Sequence, residues 1–348
     1  MIQQVTDGDQ PSNATYFLQQ SFLPGDREVM VVSYATGVPQ LYIIALGTGD
    51  TKQLTDGPVG IHPFSLAQHP RSSEIAFTRR DALCAVSRRT GYERVIARYE
   101  GASIGESSIS ADGRWLTAAF RKGDERGILV ASWDGADVLA IPFPRMVIHP
   151  QFHPLDPDWI EFAGDPAPRM HRVRRDGTGL ECLYEHSNDE FVVHETFLGH
   201  TGDLVFTVWP RLVCRMDWTT REITTITEFN AWHIAPDRAG MRILCDTNHP
   251  DLGIHIISAA DGGRTFVCRS DSSNRGSQWR KSRYALKEDF DAAREALGGA
   301  LSWMEADADT VYGPQRTHPH PSWSRDERRI VFTSDMTGTP QVYVADIV

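Results

Sequence analysis

The sequence has no run of about eighteen apolar residues, so it predicts no membrane-spanning helix. Its opening, MIQQVTDGDQ, carries neither the basic stretch nor the apolar core of a secretory leader, and a cytoplasmic protein is expected. Cysteine is scarce. The five thiols, Cys84, Cys182, Cys214, Cys245 and Cys268, are odd in number and scattered through apolar runs, which argues against a disulfide framework and for reduced core residues. No Cys-x-x-Cys pair occurs, so a thiolate zinc site is not expected. Positive charge is also short: 35 Lys and Arg stand against 46 Asp and Glu, a net charge of −11. That balance argues against nucleic acid as the main partner. An anionic ligand would need a local cationic spot, such as a metal ion or a few arginines.

What is present is a loose repeat. An apolar stretch, a polar turn, a β-rich run, a second turn and another β-rich run recur along the 348 residues. SWSRDERRIVFTSDMTGTPQVYVADI shows the unit near the C-terminus, and FLPGDREVMVVSYATGVPQLYIIAL repeats it near the N-terminus. The first turn falls at Pro24, His69, Ser110, His153, Gly199 and Ala235, close to the period of about 40–50 residues of propeller blades. It falls again at Ser324 after a longer interval that holds one more unit and an insertion. The expectation is an all-β, single-domain, seven-bladed β-propeller of four-stranded antiparallel blades. IQQVTDG (residues 2–8) matches TKQLTDG (residues 51–57), the outer strand of the first blade. The N-terminal strand is therefore expected to complete the last blade and close the ring, removing an open edge. Residues 271–314 contain YALKEDFDAAREALGGALSWM, which predicts a helical insertion before the last blade, either a lid or a surface decoration.

The sequence holds 13 histidines. His62, His149, His194, His233, His318 and His320 lie near the starts of innermost strands in five different blades. All such starts meet at one mouth of a propeller channel, and the loops joining the second and third strands open on the same face. Arg169, in GDPAPRMH, and His249, in DTNHPDLG, belong to such loops. A pocket with several imidazoles and at least one arginine is expected there. Taken singly, His62 and His149 read as hydrogen-bonded structural residues, and His69, His153 and His200 as solvated turn residues. Gln315, His318 and His320 read differently. The two imidazoles sit at i and i+2 on an extended segment and point to one face. Imidazole and amide oxygen suit manganese, iron or zinc, and no neighbouring carboxylate supports a calcium cage.

QRTHPHPSWSRDERRIVFTSD, with TYFLQQSF, PRMHRVRRDGTG, HETFLGHTGD and WHIAPDRAG in the same order, resembles blocks of the oligogalacturonate lyases, a polysaccharide lyase family of seven-bladed propellers. The resemblance covers nearly the whole chain and is most specific in the C-terminal block. It implies a manganese-type divalent metal held by His233, Gln315, His318 and His320; should His233 lie elsewhere, His249 is the reserve ligand. It implies His194 as the catalytic base and Arg169 as the catalytic arginine. The implied reaction is β-elimination on short oligogalacturonides, the fragments of pectin, giving 4,5-unsaturated uronates; the partner is a small acidic oligosaccharide. The insertion is longer than the family's connection there, and GDPAP replaces polar residues beside the arginine, so sugar specificity can differ. Two other classes stay open: a non-catalytic propeller binding module, which needs no metal, and a metal-dependent hydrolase or lactonase, whose sites usually use carboxylate ligands.

Overall fold

The computed structural model describes residues 1–187, 190–247, 250–273 and 317–347. Within them lie twenty-eight strands, numbered β1 to β28 in chain order, in seven four-stranded antiparallel sheets. The chain is a seven-bladed β-propeller. The insertion from residue 274, with Gln315 and His249, lies outside the described residues.

Each blade alternates its apolar residues to both faces, because both faces are buried. In β3 (Glu28–Ser33), Met30 and Val32 pack toward the second blade, while Val29 and Val31 pack toward the last. The same period of two, repeated around the ring, places an apolar cluster of described residues between each pair of neighbouring blades. All five cysteines are free thiols, and burial pushes Cys84 up to about 11 and Cys268 up to about 12.

The N-terminal strand closes the ring. β1 (Ile2–Gln4) pairs antiparallel with β28 (Gln341–Asp346), and that sheet runs β1-β28-β27-β26, with β27 at Arg329–Ser334 and β26 at Ser322–Trp323. The repeated TDG explains the matching register. Thr6 Oγ1 donates to Gln341 Oε1 at 2.5 Å, and Gln341 Nε2 donates to the Gly8 carbonyl at 3.0 Å. In the first blade Thr55 Oγ1 donates to Gln40 Oε1 at 2.7 Å, and Gln40 Nε2 donates to the Gly57 carbonyl at 3.1 Å. Gly8 and Gly57 have φ of 133° and 140°, which a side chain would strain.

The inner strands carry the device that builds the mouth. β10 (Ser103–Ile109), β14 (Met146–Phe152), β18 (Val192–Phe197) and β22 (Ala231–Pro236) each break register near the channel mouth. His149 and His194 sit at these breaks with φ of 57° and 56°, and His320, two residues before β26, has 44°. Such bulges re-aim a side chain. Non-glycine residues at these angles cost about 1–3 kcal/mol each and cluster at functional sites.

Candidate active site: an imidazole cluster at one mouth of the channel

The residues after β2 (Ser12–Ala14) leave the blade and cross the channel. Gln19 Nε2 donates to the Ser107 carbonyl of the third blade at 2.8 Å, and Gln20 Nε2 donates to the Trp323 carbonyl of the last at 3.2 Å. Phe17 becomes a buried floor, its ring 5.3 Å from that of His149, 5.1 Å from His194 and 5.5 Å from His233. Beyond that floor, a separate cavity of about 260 Å³ opens toward the turns of the opposite face.

On the histidine side two groups of residues meet. The first is His233, His318 and His320. All three are buried, and one ligand atom from each lies within 4.8 Å of the others. The Nδ1 of His233 is committed to Asp246 Oδ2 at 2.8 Å. Asp246 sits on β23 (Arg242–Thr247) and also accepts the backbone N–H groups of His233 at 2.8 Å and His320 at 3.2 Å. One carboxylate thus sets the ring of one histidine and the backbone of another, the support usually found behind a metal-binding imidazole. Burial pushes the Asp246 carboxyl up to about 8, against the pull of those two N–H groups. Burial and the neighbouring His318 hold the His233 imidazole well below its ordinary value, so it is uncharged and able to ligate.

The second group is Arg169, Glu195, His149 and Tyr16. Arg169 precedes β16 (Met170–Arg174), just after the loop that follows β15 (Trp159–Asp165). Its guanidinium is buried, 3.3 Å from Glu195 Oε1 and 3.6 Å from Asp165. The same Glu195 oxygen lies 3.1 Å from His149 Nδ1, and His149 Nε2 lies 2.8 Å from the Tyr16 hydroxyl. Burial alone would raise the Glu195 carboxyl. The Arg169 charge and the His149 hydrogen bond outweigh it and hold Glu195 below the carboxylate range. Glu161 lies on β15 nearby; burial and the Glu195 charge push its carboxyl well up. Between the two groups stands His194, its ring 4.5 Å from both His233 and Trp232. Burial and then the neighbouring imidazoles hold it well below its ordinary value, and its Nδ1 is buried without a hydrogen-bond partner.

The structure therefore brings together His194, Arg169, His233, His318 and His320, as their positions in the sequence predict. His149 is hydrogen-bonded, as expected of it, and it links Glu195 to Tyr16. His153 is not solvated; its buried ring accepts the N–H groups of Leu155 and Asp156 and packs on Trp218. Sequence reasoning missed Asp246, although a carboxylate inside the apolar strand RILCDT is itself a signal. It also missed Tyr16, which stands in the quoted TYFLQQSF block without a role.

The fold and the site together define a seven-bladed propeller with a buried three-imidazole cluster at one mouth. No family model matches the chain. Over 210 residues it is 24% identical to an oligogalacturonate lyase of Dickeya dadantii, a match covering 57% of this chain and 49% of that one. An oligogalacturonide lyase of Pectobacterium atrosepticum matches at 22% over 205 residues, with the same coverage. The matched region thus spans about half the length of these curated relatives. In fold, a solved oligogalacturonate lyase in complex with manganese superposes with a TM-score of 0.81 at 19% identity, over 100% of this chain and 93% of that one. An oligogalacturonate lyase of Vibrio parahaemolyticus gives 0.78 at 17%, over 99% and 93%. The chain is thus similar in sequence to oligogalacturonate lyases and shares the fold of the solved ones.

Proposed function

We propose that the protein cleaves short oligogalacturonides by β-elimination, leaving a 4,5-unsaturated uronate. The observation that carries this reading is the convergence of uncharged His194, buried Arg169 and the His233–His318–His320 cluster at one mouth, in a chain that resembles lyases of these substrates.

The C5 hydrogen of a uronide is weakly acidic, and its removal places charge on the adjacent carboxylate. The three imidazoles fit a divalent cation: their ligand atoms lie close together, and Asp246 fixes the other nitrogen of His233. Gln315 is the fourth ligand expected from the sequence. One solved relative is a manganese complex, which favours manganese here. Held there, the cation supplies Lewis-acid stabilisation of the substrate carboxylate. Because the protein ligands are neutral, they leave the cation its charge, the local cationic spot that a chain of net charge −11 needs for an acidic sugar. His194 accepts the C5 proton; its burial keeps the imidazole in the accepting form. Arg169, anchored through Glu195, presents a fixed guanidinium to a carboxylate or to the charge that builds as the C4–O4 bond breaks.

His194→Ala separates this role from a structural one. It is expected to keep cation and substrate binding and lose turnover by about 10²–10⁴-fold. Near-normal turnover at normal cation content would eliminate His194 as the base.

A further inference from the structure

β-Elimination requires two proton transfers, one from C5 and one to the departing O4. In a galacturonide the C5 hydrogen and O4 project from opposite faces of the ring, so one side chain cannot serve both. His194 accounts for the first transfer, and the second has no group assigned to it.

We propose that Tyr16, held by His149 and Glu195, is the proton donor to the departing O4. Three contacts fix the arrangement. Arg169 approaches Glu195 Oε1 at 3.3 Å, His149 Nδ1 approaches the same oxygen at 3.1 Å, and the Tyr16 hydroxyl approaches His149 Nε2 at 2.8 Å. Glu195 beside Arg169 is a carboxylate and accepts only, so Nδ1 of His149 carries the hydrogen. In the neutral ring Nε2 is then the acceptor, and the Tyr16 O–H donates to it. At rest the phenol therefore holds its proton in a fixed orientation. The order of burial fits as well: Glu195 and His149 are 0% and 3% exposed, while Tyr16 is half-buried and is the member that reaches substrate.

The chemistry divides the roles. A phenol, with an ordinary pKa of about 10, is a stronger acid than an alcohol or the N–H of a neutral imidazole. Of the two groups, Tyr16 is the better donor and His194 the better acceptor. As the C4–O4 bond breaks, its electron pair goes to O4, which takes the Tyr16 proton and leaves as an alcohol. The C5 proton stays on His194 as imidazolium and then passes to solvent. His149 now lies between a phenolate and a carboxylate, takes a proton from water on Nε2, and hands it to the phenolate. One proton leaves and one returns, so the protein is restored. Tyr16 is the catalytic residue in this step; His149 and Glu195 position it.

This inference rests on the lyase reading, and the test keeps the two apart. The manganese-loaded wild-type protein, Tyr16→Phe and His194→Ala are incubated in D₂O with trigalacturonate and with a galacturonide bearing an aryl ether at O4, whose leaving group needs no proton. Tyr16→Phe is expected to lose about 10²–10⁴-fold on trigalacturonate at unchanged manganese content. It should still exchange the C5 hydrogen of uncleaved substrate for deuterium, and should cleave the aryl ether at near the wild-type rate. His194→Ala should lose exchange and cleavage together. Turnover of trigalacturonate by Tyr16→Phe within tenfold of wild type, or loss of exchange along with cleavage, overturns the assignment. Absence of unsaturated product from the wild-type protein on both substrates overturns the lyase reading, and this inference with it.

Discussion

The second ring nitrogen of His233 is committed to Asp246, which also takes the backbone N–H of His320. Asp246 therefore holds the ring of one of the three histidines and the backbone of a second. Asp246→Asn should lower divalent-cation affinity by about 10–100-fold with the fold intact, the usual effect of losing such a partner. His320→Ala should abolish tight binding. Calorimetric titration with manganese, alongside circular dichroism, checks both; unchanged affinity in Asp246→Asn would separate the carboxylate from the cation site. At this scale the sequence was half legible. Residues on inner strands were found because topology alone brings their starts to one mouth. Asp246 stayed hidden because it acts from the second strand, through hydrogen bonds to residues 13 and 74 positions away. His149 was expected to be hydrogen-bonded, but its partners were not legible because Tyr16 and Glu195 lie 133 and 46 positions away.

Among the elements, β1 was the most legible. The identical TDG tripeptides predicted its pairing, and the Thr6–Gln341–Gly8 hydrogen bonds repeat those of Thr55–Gln40–Gly57. The Val342 N–H donates to Thr6 Oγ1 at 2.8 Å in a buried setting. Deleting residues 1–8 should thus expose the edge of β28 and leave that donor unsatisfied. A lower melting temperature and a tendency to aggregate are expected. The narrower change, Thr6→Val, should cost about 1–3 kcal/mol, the penalty for a buried polar group left without its partner. Urea denaturation measures it, and a truncated chain that melts like the full one would contradict the closure. The short inner strands were less legible. β2 and β26 are 3 and 2 residues long because the chain leaves the ladder there, in one case to floor the channel and in the other after the histidine segment. No periodic pattern announces such a departure.

For the whole molecule, the apolar clusters of described residues between blades follow from one repeated alternation, which is why the fold could be read from spacing. Histidines outside the three-imidazole cluster add a pH signature of their own. Burial lowers the imidazoles of His69, His153, His171, His186 and His255. A lowered histidine contributes stability that is complete above the unfolded value of about 6.5 and is lost as pH falls below it. The depressed carboxylates add a second loss at lower pH: Glu74, held mainly by its Arg94 hydrogen bond, and Asp112, brought to about 2 where hydrogen bonds from Ser110 and Arg114 outweigh burial. The melting temperature should fall between pH 7 and 5 and fall again below about 4, with proton uptake on unfolding; a flat profile from 7 to 5 would contradict this account. The central claim, that the imidazole mouth makes this propeller a cation-dependent lyase, is tested most directly by product identity. The chelated protein and the manganese-reloaded protein are each given trigalacturonate, and the products are followed by ultraviolet absorbance and mass. The account predicts an unsaturated uronate that appears only with manganese; intact substrate under both conditions, or a product that has gained water, would contradict it.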